Sequence, residues 1–591
     1  MAEPRFSPDG TRLAWVDAFA GRADLVIGLV DGSTPPLVLT ADAPVTPVGA
    51  YGGGAYTWAG DATLVYAAAD GRLLAVDACG GPPRLLSDEG RAAAPACPPD
   101  GSVVAFVLER DDACDIAVVR ADGSAVPACI STGADYSWDP AWSPDGSLVA
   151  WHEWDLTGMS WDASRIVVAA CDGTSRRIVA GGDTIAVGQP RFSPDGTRLA
   201  YVSDEDGWWN VRTCAPDGSA ARAVLAEAHE HAEPAWGPGQ RSFAWSPDGS
   251  RLAINRNEDG FGRLVVVGRD GGSERAVSKG WHHGVDWGTR GVACVRSGAR
   301  TPPAITIVGA GESGRRVVAR GAVAGFEAAG LVEPHAVQWT ATDGETVHGL
   351  LYPPAGSAAG TKPPLLVDVH GGPTGQATAS WTPLRQYFVT RGWAVLAPDY
   401  RGSTGHGRAY TQALSGSWGV LDVDDTAAGI RAAGERGWCD PARVAVVGGS
   451  AGGLTVLLVC AQHGRLVRAA VSMYGVTDLL ELAQTTHRFE SRYLDRLVGE
   501  LPVAEDRYRA RSPITHAAAI RVPLLVLHGD ADKVVPPAQA ARLVEAVRAE
   551  EDLVEHHVYA REGHGWGWPE TVIDVYERID AFLRRHVLRD R

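Results

Sequence analysis

In the first half of the chain, apolar and polar positions alternate with a period of two in short runs, and each run is closed by an Asp-Gly pair. The run PRFSPDGTRLAWV from Pro4 returns as PACPPDGSVVAFV from Pro95, PAWSPDGSLVAWH from Pro140, PRFSPDGTRLAYV from Pro190 and FAWSPDGSRLAIN from Phe243. Weaker copies begin near Tyr56 and Gly284. Period-two alternation predicts strands, and a Pro-Asp-Gly between two such runs predicts a tight hairpin turn. A second Asp-Gly pair recurs at 31–32, 122–123, 172–173, 217–218 and 270–271, so each copy predicts two hairpins and four strands. Aligned on Phe6, Trp58, Cys97, Trp142, Phe192, Trp245 and Trp287, the copies repeat every roughly 40–53 residues, the range of a four-stranded propeller blade. Seven copies predict a seven-bladed β-propeller over about residues 1–330.

From about Val332 the pattern changes. Short apolar runs at 365–367, 394–396, 444–447, 469–471 and 524–527 are separated by stretches with helical periodicity, such as Asp425–Arg436 and Pro537–Arg548. Buried strands alternating with helices predict a doubly wound α/β domain, a parallel sheet covered on both faces, over residues 331–591.

The 591 residues carry a formal net charge of −17 and no basic stripe, which excludes nucleic acid as a partner. No apolar stretch reaches the ~18–20 residues a spanning helix needs, and Met1–Arg5 resembles no export signal, so the expectation is a cytoplasmic protein without a membrane partner. The nine cysteines are scattered without a C-x-x-C pair, which predicts buried apolar thiols and no metal site.

The candidate chemistry lies in the second half. Val444–Leu454 reads VAVVGGSAGGL, a strand, a G-x-S-x-G turn and a helix from about Ala451. That arrangement is a nucleophile elbow presenting Ser450. A serine hydroxyl needs an imidazole to take its proton and a carboxylate to orient that imidazole, and in this fold the chain order is Ser, Asp or Glu, His. After the strand PLLVLHG come Asp530 and Asp532; after EHHVYA comes Arg561-Glu562-Gly563-His564-Gly565-Trp566. His564 is therefore the expected general base, with Asp532 or Asp530 as its carboxylate. Oxyanion donors are expected from the N–H of Ala451 and from Gly371 or Gly372 in His370-Gly371-Gly372-Pro373, with His370 supporting that loop.

A propeller followed in order by HGGP (His370–Pro373), DYRGSTGHG (Asp399–Gly407), GGSAGG (Gly448–Gly453), HGDADKVVP (His528–Pro536) and EGHGW (Glu562–Trp566) closely resembles the prolyl oligopeptidase family of serine peptidases. Within it, HGGP is similar to the acylaminoacyl-peptidase and dipeptidyl-aminopeptidase-like members. The resemblance favours Asp532 over Asp530. It implies a β-propeller plus α/β-hydrolase domain that hydrolyses short peptides or acylated amino acids, the propeller restricting access, with no metal or organic cofactor. The alternative is a carboxylesterase or amidohydrolase acting on a small metabolite. Glu153 and Asp155, interleaved with tryptophans, are the best candidates for holding a substrate ammonium. Glu490 and Arg492 are candidates for substrate contact from a lid segment, and Trp566 for lining an apolar subsite. These readings neither require nor exclude a homo-oligomer.

Overall fold

The computed structural model describes residues 1–46, 52–272, 274–309, 314–321, 323, 330–356, 360, 362–548 and 554–588. Tertiary contacts divide the chain into two units, Met1–Gly298 with Pro302–Ala322, and Ala299–Thr301 with Val323–Arg591.

The first unit is a β-propeller. Its strands form four-stranded sheets over residues 2–38, 56–87, 187–223, 243–279 and 281–320, and an eight-stranded sheet over 91–182. The eight-stranded sheet consists of two groups that meet where Cys114 pairs in parallel with Tyr136.

Each repeated motif has a physical reason. In the S-P-D-G turns, Asp9, Asp145, Asp195 and Asp248 each accept a 2.6 Å hydrogen bond from the serine two residues back. Each also accepts the backbone N–H two residues ahead, and the intervening glycines take φ of +67 to +71°, which a side chain would resist. The aligned tryptophans link neighbouring repeats. The indole N–H groups of Trp58, Trp142 and Trp245 donate to the carbonyls of Arg5, Ala96 and Arg191, each the residue just before the aligned position of the preceding copy. The first and last sheets close the ring by packing, since each has its own four strands. Phe6, Leu13, Trp15 and Val26 share a core with Ala293, Val295, Ile305 and Ile307, and the Phe6 N–H donates to Asp286 at 2.9 Å.

The second unit is built on one eight-stranded sheet: β1 (His335–Thr340), β2 (Thr346–Tyr352), β3 (Leu365–Val369), β4 (Ala394–Asp399), β5 (Val444–Gly449), β6 (Ala469–Met473), β7 (Leu524–Gly529) and β8 (Val554–Tyr559). The spatial order is β1-β2-β4-β3-β5-β6-β7-β8. Strands β3 to β8 are parallel, but β1 and β2 pair antiparallel with each other and β2 antiparallel with β4, so the wholly parallel sheet expected from the sequence is mixed. The longer helices are α1 (Leu421–Glu435), α2 (Ala451–His463), α3 (Pro537–Arg548) and α4 (Pro569–Leu583). Among the described residues no helix is long and apolar enough to cross a membrane.

Candidate active site

Strand β5 ends at Gly449 and α2 begins at Ala451, leaving Ser450 alone in the turn with φ +55° and ψ −125°. A non-glycine residue in that region is strained, and the surroundings hold it there. A Cβ at Gly452 would lie 2.2 Å from the Val369 carbonyl oxygen, and one at Gly448 2.5 Å from the Gly452 oxygen. Glycine on both sides thus lets α2 start hard against β3 and lifts the serine off the sheet edge.

Ser450 Oγ is 2.8 Å from His564 Nε2, and His564 Nδ1 is 2.8 Å from Asp532 Oδ2. Asp530 has a different place: its carboxylate accepts the Arg561 N–H at 2.7 Å, pinning the turn that carries His564. Asp532 is buried. Burial opposes its charged form, but hydrogen bonds from His528, His564 and the Val535 N–H outweigh it and hold the carboxyl well below the usual carboxylate range. An ionised Asp532 keeps the proton of His564 on Nδ1 and leaves Nε2 free to accept from the serine.

The loop after β3 lies beside the nucleophile. A Cβ on Gly371 would be 3.3 Å from Ser450 Cβ and 3.8 Å from the Ala451 nitrogen. Ala451 is the first residue of α2, so its N–H has no partner within the helix. The N–H groups of Gly371 and Gly372 make no hydrogen bond among the described residues. The unengaged N–H groups of Ala451 and of the Gly371–Gly372 loop next to the serine make a place where an oxyanion could be held.

His370 holds this loop together with residues that the sequence did not single out. His370 stacks on Tyr400 with ring centroids 4.5 Å apart, bonds the Gly371 carbonyl at 2.9 Å through Nδ1, and meets Ser403 Oγ at 2.8 Å through Nε2. Burial pushes the His370 imidazole down, which suits a neutral support. The Tyr400 hydroxyl donates to the His370 carbonyl at 3.2 Å, and the Tyr493 hydroxyl meets Thr374 Oγ1 at 2.6 Å. The DYRGS segment is thus the loop's buttress. Nothing in its sequence says so, because the contacts join residues about 30 apart.

The remaining candidates are distributed as follows. Trp566 packs edge-on to Tyr474 at 5.2 Å and to Tyr559 at 5.1 Å, and Tyr474 packs in turn against His564 at 4.9 Å. Glu490 ends a short 3-10 turn and accepts from Thr486 at 3.3 Å. Arg492 is half exposed and paired with Asp495 at 2.8 Å. In the propeller, Glu153 is fully buried and paired with Arg165 and Arg176, and its second oxygen accepts the Trp151 indole N–H at 2.9 Å. Asp155 pairs with the same Arg165 at 2.8 Å. Both carboxylates are already neutralised by arginines, so an ammonium would have to displace those arginines to reach them.

Behind the nucleophile, Asp422 of α1 accepts from the Gly419 N–H at 2.7 Å and from Thr455 Oγ1 of α2 at 2.5 Å. Burial pushes its carboxyl up to about 6, against the pull of those two bonds. The folded value lies above the unfolded one of ~3.9, so the folded state binds the extra proton in that interval. This contribution to stability is complete below about pH 4 and is lost as pH rises through about 6. Asp422→Asn is therefore expected to gain in melting midpoint on the wild type as pH rises from about 4 to about 7, with no further gain above. Calorimetric scans across that range check it; a constant difference would contradict it.

A Ser-His-Asp constellation at the C-terminal ends of a β1-β2-β4-β3-β5-β6-β7-β8 sheet, in one chain with a propeller, defines the class: a propeller-bearing α/β-hydrolase protein. Residues 380–589 match the prolyl oligopeptidase family and residues 83–241 the TolB beta propeller domain. A solved Mycobacterium tuberculosis puromycin-hydrolyzing peptidase is 30% identical with a TM-score of 0.91, the match covering 99% of this chain and 94% of that one. A puromycin hydrolase structure is 32% identical with a TM-score of 0.88, over the same shares. Among curated proteins, dipeptidyl aminopeptidase BIII of Pseudoxanthomonas mexicana is 30% identical over 35% of this chain, and the acylamino-acid-releasing enzyme of Arabidopsis thaliana 32% over 38%. Those two matches span about a third of the relatives' own length, 31% and 30%. The chain belongs to the prolyl oligopeptidase family.

Proposed function

We propose that this chain is a serine peptidase that hydrolyses short peptides or N-terminal aminoacyl or acylaminoacyl amides through an acyl-enzyme. The observation that carries the reading is the continuous hydrogen-bonded path from Ser450 Oγ through His564 to Asp532, beside unengaged N–H donors. Ser450 attacks the carbonyl while His564 Nε2 takes the hydroxyl proton. The oxyanion is held by the N–H of Ala451 and that of Gly371 or Gly372. His564 then gives the proton to the leaving amine, and water, deprotonated by the same imidazole, releases the acyl group. Trp566 and Tyr474 form an aromatic wall next to His564 suited to an apolar substrate group. Relatives named as an aminopeptidase and an acylamino-acid-releasing enzyme support the substrate class. The propeller is read as seven-bladed: the eight-stranded sheet divides into two four-stranded blades at its single parallel pair, and the sequence repeats seven times.

Parallel assays with free aminoacyl, N-acetylaminoacyl and dipeptidyl anilides test this. At least one of the three series is expected to be turned over, with a fluorophosphonate probe labelling Ser450 and blocking that turnover. Hydrolysis of simple esters with none of the anilides would overturn the peptidase reading.

A further inference from the structure

A second imidazole touches the carboxylate of the triad. His528 is the penultimate residue of β7, fully buried, four residues before Asp532. Its Nε2 lies 2.9 Å from the Val535 carbonyl oxygen and 3.3 Å from Asp532 Oδ2. A carbonyl oxygen only accepts, so Nε2 carries the proton and donates it to Val535, with Asp532 Oδ2 close beside the same N–H. The other ring nitrogen, Nδ1, is buried without a partner among the described residues. The ring's polar contacts thus all point to the turn that carries Asp532.

Asp532 is consequently surrounded by four donors. Oδ1 accepts the N–H groups of Val534 at 2.9 Å and Val535 at 3.0 Å, Oδ2 accepts His564 Nδ1 at 2.8 Å, and His528 Nε2 lies 3.3 Å from the same Oδ2. A carboxylate has about four lone-pair directions; three accept hydrogen bonds here, and the His528 N–H stands beside the remaining one. The backbone pair fixes the plane of the group from one side, and His528 fixes the oxygen that His564 uses. We propose that His528 is a positioning residue for the triad: its N–H orients Asp532 Oδ2 toward His564 and withdraws negative charge from that oxygen, which tempers the basicity of His564. The inference rests on the Ser450, His564 and Asp532 reading above.

The surroundings allow this effect to be isolated. The titratable groups around His528 are Asp532 and His564 on the turn side, Tyr474 just past β6, which packs on His564, and His556 on β8, which lies diagonally across the strand pair on the same face. The buried positions of α3 and α4, the helices packed on β7, carry no titratable side chain. Substitution of His528 therefore changes the field at Asp532 chiefly through the bond itself.

Three variants separate positioning from mere filling of the core. Leucine has similar bulk and no donor; asparagine has a donor too short to reach Asp532; glutamine places an amide N–H near the position of Nε2. His528→Leu and His528→Asn are expected to lower kcat about tenfold, ~1.4 kcal/mol of barrier, with KM little changed. Without the donor, Oδ2 holds a fuller negative charge and stabilises the His564 cation more. The acidic limb of kcat/KM is thus expected to move up by about half a pH unit or more. His528→Gln is expected to restore both values. Should the leucine variant fail to fold, the asparagine and glutamine pair gives the same comparison. The proposal is overturned if Leu or Asn leaves kcat and the limb at wild-type values. Equal loss in Asn and Gln with the limb unmoved also overturns it, because that pattern is packing alone. Ser450→Ala measured alongside reports on the underlying reading independently: turnover surviving in that variant means that the nucleophile, not His528, has been misassigned.

Discussion

Replacing Ser450 with alanine is expected to lower kcat by on the order of 10⁴- to 10⁶-fold, to abolish fluorophosphonate labelling, and to leave the melting midpoint near or above that of the wild type. The loss is large because one hydroxyl supplies the covalent step, and the imidazole and carboxylate behind it have no other acceptor for their work. What survives is the electrostatic contribution of the proposed oxyanion donors, the N–H of Ala451 and that of Gly371 or Gly372, to an oxyanion formed by water. The stability half of the prediction follows from the backbone. Ser450 sits at φ +55° whichever side chain it bears, and alanine fits the space of serine, so the elbow is preserved. The cost of removing one polar contact at the half-buried His564 is small beside the strain already borne by the turn. Burst kinetics with an anilide substrate and a thermal scan of the purified variant check both halves. Retained turnover would remove Ser450 from the mechanism.

Much of this was legible in the sequence, for identifiable reasons. Four of the seven propeller repeats stood out because their turns use the same local device, a serine and an amide closing on one aspartate, which needs the same few residues each time. The elbow was legible for a similar reason: no residue larger than glycine fits at 452 against β3. Strand β1 was missed because it lies at the sheet edge with most of its side chains exposed, leaving no apolar run to read. The supports of the site were missed because they act at long range. Tyr400, Ser403 and Tyr493 reach the 370–374 loop from 30 to 119 residues away. Glu153 illustrates the same long-range blindness. Its tryptophan neighbours and acidic charge suggested a ligand anchor, whereas Arg165 and Arg176, 12 and 23 residues on, already occupy it.

Asp532→Asn is expected to cost about 10⁴-fold in kcat with KM little altered, a loss in excess of what deleting one hydrogen bond would give. The reason lies in the four donors around the carboxylate. An asparagine must turn its NH₂ either toward the N–H groups of Val534 and Val535 or toward His564 and His528. The backbone amides cannot change from donor to acceptor, whereas an imidazole can move its proton to the other nitrogen. The NH₂ therefore faces the histidines, and His564 is driven to the tautomer that accepts at Nδ1 and carries its proton on Nε2. That nitrogen now offers a donor to Ser450 Oγ and can no longer take the serine's proton. The same geometry fixes a pH signature. The folded carboxyl is held below its unfolded value, so its contribution to stability is present above about pH 4 and is lost as pH falls toward the folded value. The melting midpoint of the asparagine variant is thus expected to lie below that of the wild type at pH 7 and to converge on it in acid. Steady-state kinetics and thermal scans between neutral and acidic pH measure both. A variant that keeps wild-type kcat would show that Asp532 does not set the tautomer of His564.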